Sequence, residues 1–139
     1  MLPVMVADME AGVRPGQVRR IDPLIGQKLD YVRLGHAIVL SFSRGSQVLI
    51  ETVGRLTSTD GEADVEPGED PSDALATLLG DVVRDAETAD TGDLRITFDS
   101  GAELLVGADP DVESWAVAGP DRLLIVCLAR GELAVWGAS

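Results

Sequence analysis

The sequence predicts an α+β fold: seven or eight mostly antiparallel strands in two similar hairpin halves, with one amphipathic helix packed on the sheet. An apolar stretch interrupted by a glycine turn occurs twice, fifty-six positions apart, over residues 38–50 and 94–106. A helical spacing of apolar residues lies between the copies, over residues 70–86. Short turns join the remaining apolar runs, which favours antiparallel neighbours.

Residues 1–20 contain Pro and Gly without a sustained period, and we expect them to form a loose extension. A single domain is expected to follow over residues 21–139. Leu29 and Tyr31 predict its first strand, and residues 54–70, rich in Gly, Thr, Ser and acid, predict a long connection after the first hairpin.

The two repeated stretches are predicted to be β-hairpins. Apolar residues alternate up to Phe42 and Phe98, because successive strand side chains point to opposite faces. Gly45 and Gly101 follow where a short hairpin loop needs a left-handed residue. Only the Phe, the Gly and one Leu are identical between the copies, so shared alternation is a simpler interpretation than duplication of an ancestral sequence.

The helix is predicted from its cap and its apolar stripe. Asp70 suits the N-cap, Pro71 the first helical position, and Asp73 the first turn. The stripe that would face the sheet consists of Leu75, Leu78, Leu79, Val82, Val83 and Ala86.

The last third of the chain predicts three further strands. Trp115 and Val117 mark the first, and residues 133–136 the last. The run over residues 123–128 lacks polar alternation, which predicts a central strand covered on both faces.

The composition fits a soluble globular protein. The chain has 139 residues, of which 45% are apolar and 25% charged, and the apolar run 123–129 is too short to cross a bilayer. No basic signal-peptide start precedes the first apolar residues, so we expect a cytoplasmic protein without membrane contact. Cys127 is the only cysteine, and its apolar flanks indicate a buried structural thiol. The single histidine, His36, is expected at the surface.

The net charge of −13 is unevenly distributed. Residues 60–93 hold twelve acidic residues and one basic residue, so this window carries −11 and the rest of the chain is nearly neutral. Segregated charge of this sign repels nucleic acid and steers a basic protein partner, although a solvated loop and helix face is the simpler interpretation. The candidate partner-binding residues are Asp60, Glu62, Asp64, Glu66 and Trp136.

No motif predicts an enzyme or a cofactor site. The alternating acids that begin at Asp60 fail as an EF-hand loop, because Val65 and Pro71 stand where Gly and Glu are needed. The sequence has no phosphate-binding loop, nucleophile elbow or metal-ligand spacing. We therefore expect a non-enzymatic protein with no catalytic residue, no cofactor and no metal.

The two tryptophans differ in their expected roles. Trp115 is expected to pack in the core. For Trp136, three residues from the end of the sequence, core packing and a role as interface anchor both stay open.

Several short motifs follow one another along the chain: Ile21 to Gly26, Phe98 to Gly101, Glu113-Ser114-Trp115, Gly119-Pro120-Asp121, Ile125-Val126-Cys127 and Gly131 to Trp136. Together they resemble an uncharacterised family of small proteins of unknown function, found chiefly in actinobacteria. The resemblance covers roughly residues 20–137 and implies no established activity. Arg122 and Arg130 depart from it, since that family favours Gly at both turns.

Three hypotheses for the function stay open. The first is a non-enzymatic interaction module, an acidic antagonist of a basic protein, similar in size and character to some bacterial immunity proteins. The second is a small-molecule binding module or carboxylate-based enzyme, with a closed apolar pocket beside Glu51 or Glu103. The third is a homodimeric structural protein joined through an exposed strand edge.

Overall fold

The computed structural model describes residues 18–59, 61–68 and 74–136, which form two antiparallel sheets of six strands each. The strands are β1 (Val18–Arg20), β2 (Leu29–Arg33), β3 (Ile38–Phe42), β4 (Gln47–Ile50), β5 (Gly54–Ser58), β6 (Gly61–Val65), β7 (Val83–Ala89), β8 (Leu94–Phe98), β9 (Glu103–Val106), β10 (Trp115–Ala118), β11 (Leu124–Cys127) and β12 (Leu133–Trp136). The described chain also contains short 3₁₀ turns at Asp22–Leu24, Leu75–Leu78, Pro120–Arg122 and Ala129–Gly131.

The two sheets enclose one core. Sheet I has the strand order β1-β7-β8-β9-β5-β6, and sheet II has the order β12-β11-β10-β4-β3-β2. The chain passes from sheet II to sheet I between β4 and β5 and returns between β9 and β10. Buried side chains from both sheets belong to a single cluster, which includes Leu40, Phe42, Leu56, Phe98, Leu104 and Trp115. The architecture is therefore two layers of sheet around a shared apolar interior.

The predicted α+β class is wrong, because the described chain is nearly all sheet and contains no helix longer than four residues. The helix predicted over residues 70–86 is replaced by the 3₁₀ turn Leu75–Leu78 and the start of β7. Its predicted cap at Asp70, Pro71 and Asp73 lies outside the described residues. The single sheet of seven or eight strands is likewise replaced by two sheets with twelve strands.

A β-bulge explains the false helical spacing. Val83 and Ala86 both point into the core although they are three residues apart, because the register of β7 with β8 shifts between Val83 and Asp85. The 3₁₀ turn supplies the earlier buried leucines of the apparent stripe. Gly80, at φ 87°, separates the two elements in a conformation that no helix interior contains. Two different elements thus produced one apparent helix face.

The long connection predicted over residues 54–70 instead forms the hairpin of β5 and β6 as far as Val65. The loose extension predicted over residues 1–20 lies largely outside the described residues, and its last three residues form β1 beside β7.

The two predicted hairpins exist, as β3–β4 and β8–β9, and they lie in different sheets. Their glycines Gly45 and Gly101 have φ values of 88° and 97°, which confirms the predicted left-handed turn position. In the first half of the chain, β2–β4 form a meander in sheet II and β5–β6 extend sheet I. In the second half, β7–β9 form a meander in sheet I and β10–β11 extend sheet II. These ten strands therefore repeat one topology with the two sheets exchanged, and β1 and β12 have no counterpart in the other half.

Equivalent hydrogen bonds join the two halves of the chain. The Leu29 amide donates to the carbonyl of Asp81 at 2.9 Å, and the Val83 amide donates to the carbonyl of Gln27 at 2.8 Å. An isolated bridge joins the two intervening residues, and β2 carries a bulge at the same place as β7. The repeat thus extends to individual backbone bonds.

Candidate functional site

Three of the four predicted acidic residues lie at one edge of sheet I. Glu62 and Asp64 are exposed on the outer face of the edge strand β6, and Glu66 is exposed directly after it. Arg55 of β5 lies 3.8 Å from Glu62 and 3.6 Å from Asp64, measured between guanidinium nitrogen and carboxylate oxygen. Asp60 lies outside the described residues. The described acidic candidates are therefore accessible to a partner, and an arginine partly offsets their charge.

Trp136 lies on a different surface, the outer face of sheet II. It ends β12, opposite Leu124 of β11, and is 46% exposed. Trp115 is completely buried, as predicted, and its indole N–H donates to the carbonyl of Gly92 at 2.8 Å. The structure does not bring Trp136 together with the acidic candidates.

The outer face of sheet I is charged. The charges of outward side chains in register alternate in sign across three strands, from Arg20 of β1 through Glu87 of β7 to Arg95 of β8. Arg95 lies 3.7 Å from both Glu87 and Glu103, and Arg20 lies 3.8 Å from Asp85. Cross-strand pairs of opposite charge are typical of a sheet face in contact with water.

The outer face of sheet II is apolar. Its outward residues form two rows across β3, β4, β10, β11 and β12, and no outward position of these five described strands holds an ionisable side chain. We define the apolar face as Val39, Leu49, Ala116, Val126 and Ala134 in the first row and Ala118, Leu124 and Trp136 in the second. Ser41 and Gln47 complete the second row. Within the apolar face Trp136 is exposed, Val39 is buried at 6% exposure, and the other six residues are partly exposed. The apolar face is continuous across these five strands and ends at β2, where the exposed Arg33 lies opposite Val39.

Leu49 and Leu105 show the difference between the two outer faces, since they occupy equivalent places in the two halves. Leu105 of β9 lies between Arg95 of β8 and Arg55 of β5. Leu49 of β4 lies between Val39 of β3 and an alanine of β10. Both leucines are partly buried. The same residue at the same place in the fold thus lies in a charged surface on one side and an apolar surface on the other.

Two open grooves lie near strand ends. One of about 610 Å³ is lined by Glu51, Asp111, Val112, Glu113, Leu128 and Ala129. Another of about 340 Å³ is lined by Val53, Gly54, Arg55, Asp64, Asp93, Leu105 and Gly107. Glu51 therefore lies in a groove open to solvent, while Glu103 points outward to Arg95. Neither carboxylate faces a closed apolar pocket.

Cys127 is buried in the core, as predicted. Burial raises the pKa of its thiol to about 11, the charge of Asp93 adds to the rise, and a hydrogen bond with Ser114 opposes it. Within residues 18–59, 61–68 and 74–136, no three Asp, Glu, His or Cys side chains are placed to hold a metal ion. None of the helical turns in these ranges has the length and apolar character needed to span a membrane.

A protein-family model matches residues 20–137, which is most of the chain. It describes a family of unknown function, DUF6188. The chain belongs to DUF6188. No curated protein and no solved structure matches it. The predicted resemblance to an uncharacterised family over roughly the same residues is therefore confirmed, and membership of DUF6188 assigns no activity.

Most of the apolar face of this DUF6188 protein was missed by sequence reasoning. Its signal is the presence of apolar residues on both sides of a strand, as in residues 38–40, 48–50 and 123–128. The run 123–128 predicts a central strand covered on both faces. In the structure Leu124 and Val126 point outward from β11 and stay partly exposed. The apolar pattern was therefore visible in the sequence, but it was interpreted as burial rather than as an exposed face.

Proposed function

We propose that this DUF6188 protein is a non-enzymatic protein-interaction module that binds its partner through the apolar face of sheet II. The observation that supports the proposal is the contrast between two outer faces of one molecule. A sheet with one face in the core is expected to present polar residues to water on the other, as sheet I does. A continuous apolar surface that stays partly exposed to water is instead typical of a site that another protein covers.

The composition of the apolar face fits this role. Its centre, around Leu49 and Ala116, is free of ionisable side chains, and depletion of charge is the compositional mark of an interface core. Trp136 stands at its rim with an exposed indole, and Trp is favoured among residues that contribute strongly to binding. For Trp136 the sequence left core packing and an interface anchor open, and in this proposal it is an interface anchor.

The non-enzymatic part of the proposal is supported by the positions of the two carboxylates that the enzyme hypothesis uses. Glu103 faces Arg95 on a solvated sheet face, and Glu51 lies in an open groove. Catalysis by a carboxylate usually depends on a site that excludes water and perturbs its pKa. We further propose a cytoplasmic location, which a single buried thiol fits.

A second candidate function is the acidic antagonist of a basic partner, which would use the edge of sheet I. The exposed carboxylates of Glu62, Asp64 and Glu66 favour it. Reversal of all three to Lys should then abolish binding of the partner, whereas Leu49→Lys should leave it unchanged. The proposed function predicts the opposite result for both variants.

The experiment that tests the proposed function is site-specific photo-crosslinking in the source cell. A benzophenone amino acid replaces Leu49 in one variant and Leu105 in the other, which places the same probe at equivalent sites on the two outer faces. We expect a discrete protein adduct from position 49 and only diffuse background from position 105. Equal yields at the two positions, or an adduct from position 105 alone, would contradict the proposal.

A further inference from the structure

We propose that the partner on the apolar face is a second copy of this chain, so that two molecules pack sheet II against sheet II. The inference rests on the proposed function, because it names the partner of the same face. It also replaces the edge-to-edge dimer among the sequence hypotheses with a face-to-face dimer.

Charge is the first argument for a second copy. Each chain carries a net charge of −13, so two copies repel each other wherever acidic surfaces meet. The outer face of sheet I holds the carboxylates of Asp85, Glu87, Glu103, Glu62 and Asp64. The outward positions of β3, β4, β10, β11 and β12 hold none. Two identical acidic chains can therefore meet through the apolar face without removing like charges from water. The charged outer face of sheet I in each copy then points away from the other copy.

Shape is the second argument. The outward residues of β10 are Ala116 and Ala118, which form a shallow trough along the middle of the face. Leu49 of β4 rises on one side of it, and Val126 and Leu124 of β11 rise on the other. Packed sheets lie about 10 Å apart with interdigitated side chains. A twofold axis parallel to the face can place Leu49 of each copy over the alanine trough of the other, which is the reciprocal contact of a symmetric dimer.

The size of the face predicts a weak dimer. Five strands spaced about 4.8 Å apart and about four residues long cover roughly 300 Å². The two copies together would bury roughly 600 Å², which is below the range of stable interfaces and suits a transient one. Tyr31, Leu34 and Trp136 are exposed near the edges of sheet II and can enlarge the contact. We therefore expect dissociation in the micromolar range.

Sedimentation velocity of the purified full chain tests the inference. The protein concentration runs from about 1 to 200 µM, a range that brackets micromolar dissociation. We expect the wild type to move from 14.6 kDa towards twice that mass as concentration rises. Leu49→Lys should weaken dimerisation by about tenfold or more, because the new charge would be buried in the contact. Leu105→Lys places the same charge at the equivalent site of the other face and should leave dimerisation unchanged.

Two controls keep the result decisive. Near-ultraviolet circular dichroism confirms that each variant is folded, and Val126→Lys repeats the test at a second position if Leu49→Lys does not fold. A wild type that stays monomeric at the highest concentration would overturn the inference. So would equal weakening by Leu49→Lys and Leu105→Lys, or a crosslink from position 49 to residues 1–17 of the same chain. A monomer whose position 49 crosslinks to a different protein would overturn only the dimer, and the proposed function would stand.

Discussion

Thr88 carries a hydroxyl that is buried without a hydrogen-bond partner among the described residues. Its side chain points inward from β7, opposite the buried Leu94 of β8. Removing a hydroxyl from water without a new hydrogen bond costs about 1–3 kcal/mol. We predict that Thr88→Val, which keeps the shape of the side chain, raises the free energy of unfolding by about 1 kcal/mol. Urea denaturation measures the free energy of unfolding. The control Thr88→Ser should lower it, because the hydroxyl stays and a methyl group is lost. A Thr88→Val variant less stable than the wild type would contradict the prediction.

Two arginines have a backbone conformation that suits glycine. Arg122 and Arg130 have φ values of 66° and 71°. A side chain in this left-handed region costs about 1–2 kcal/mol relative to glycine. Replacement by glycine recovers only part of this, because glycine loses more conformational entropy on folding. We predict that Arg122→Gly and Arg130→Gly each raise the free energy of unfolding by about 0.5 kcal/mol.

The measurement is chemical denaturation of both variants, with Arg33→Gly as the control. Arg33 lies in the strand β2, where glycine should cost about 0.5–1 kcal/mol. Loss of stability in all three variants would show that the positive φ values carry no strain.

The thiol of Cys127 makes stability depend on pH. Burial raises its pKa from 9.0 to about 11. Because the folded pKa is the higher one, the stability contributed by the neutral thiol is fully present below pH 9 and is lost as pH rises to about 11. We predict a loss of about 2–3 kcal/mol over this interval. Urea unfolding at pH 8 and pH 11 should show it in the wild type and not in Cys127→Ala, and equal losses in both would contradict it.

At the scale of elements, period-two alternation located most strands correctly. The hairpins of β3–β4 and β8–β9 were predicted from alternation. The last three strands were predicted as well, although β11 was found from an unbroken apolar run rather than from alternation. The hairpin of β5 and β6 was missed. Its sequence is polar and glycine-rich, and only Leu56, Val65 and Gly54 are buried in it. It is held by pairing with β9, which comes about forty residues later in the chain.

The helix was mispredicted because a bulge changes the period of a strand. One extra residue in β7 brings Val83 and Ala86 to the same face at a spacing of three, which is a helical spacing. The pattern of hydrophobic residues alone does not separate the two cases. The bulge of β2 lies at the equivalent place, between Leu29 and Tyr31.

A close backbone contact joins two connecting elements at one end of the molecule. The turn between β7 and β8 contains Gly92, and the 3₁₀ turn before β12 contains Gly131. A Cβ on Gly131, where φ is 85°, would overlap the carbonyl oxygen of Thr91. A Cβ on Gly80, where φ is 87°, would meet nothing within 4 Å.

We predict that Gly131→Ala lowers the free energy of unfolding by about 3 kcal/mol, the sum of backbone strain and overpacking. Gly80→Ala should lower it by about 1 kcal/mol, since only the strain applies. Thermal and urea unfolding of both variants give the comparison. Equal losses would show that the contact between the two turns contributes nothing.

At the scale of the whole molecule, the apolar face could not be derived from the sequence, because it depends on long-range pairing. Leu49 and Ala116 become neighbours only when β4 pairs with β10 across more than sixty residues of chain. Sequence reasoning found the exposed acids and Trp136 as separate candidates, and the structure places them on the outer faces of different sheets. The charge asymmetry was therefore predictable, whereas the surface that it leaves free for binding was not.

Comparison of the two halves also separates residues that serve the fold from residues that shape the outer faces. Residues shared by both halves, such as Phe42 and Phe98, serve the common core. Features present in one half only, among them the arginines beside Leu105 and the apolar neighbours of Leu49, produce the two different outer faces. The residues that differ between equivalent positions of the two halves are therefore ones that the common fold does not require.

The mass of the photo-crosslinked adducts that form in the source cell, with the probe at position 49 or at position 105, tests the central claim most directly, because crosslinking captures a transient contact before dilution. If the apolar face binds a protein, whether a second copy or another chain, the probe at position 49 should give a discrete adduct above the 14.6 kDa of the single chain. The probe at position 105 should leave the protein at the mass of the monomer. The same distribution of masses from both positions would contradict the account.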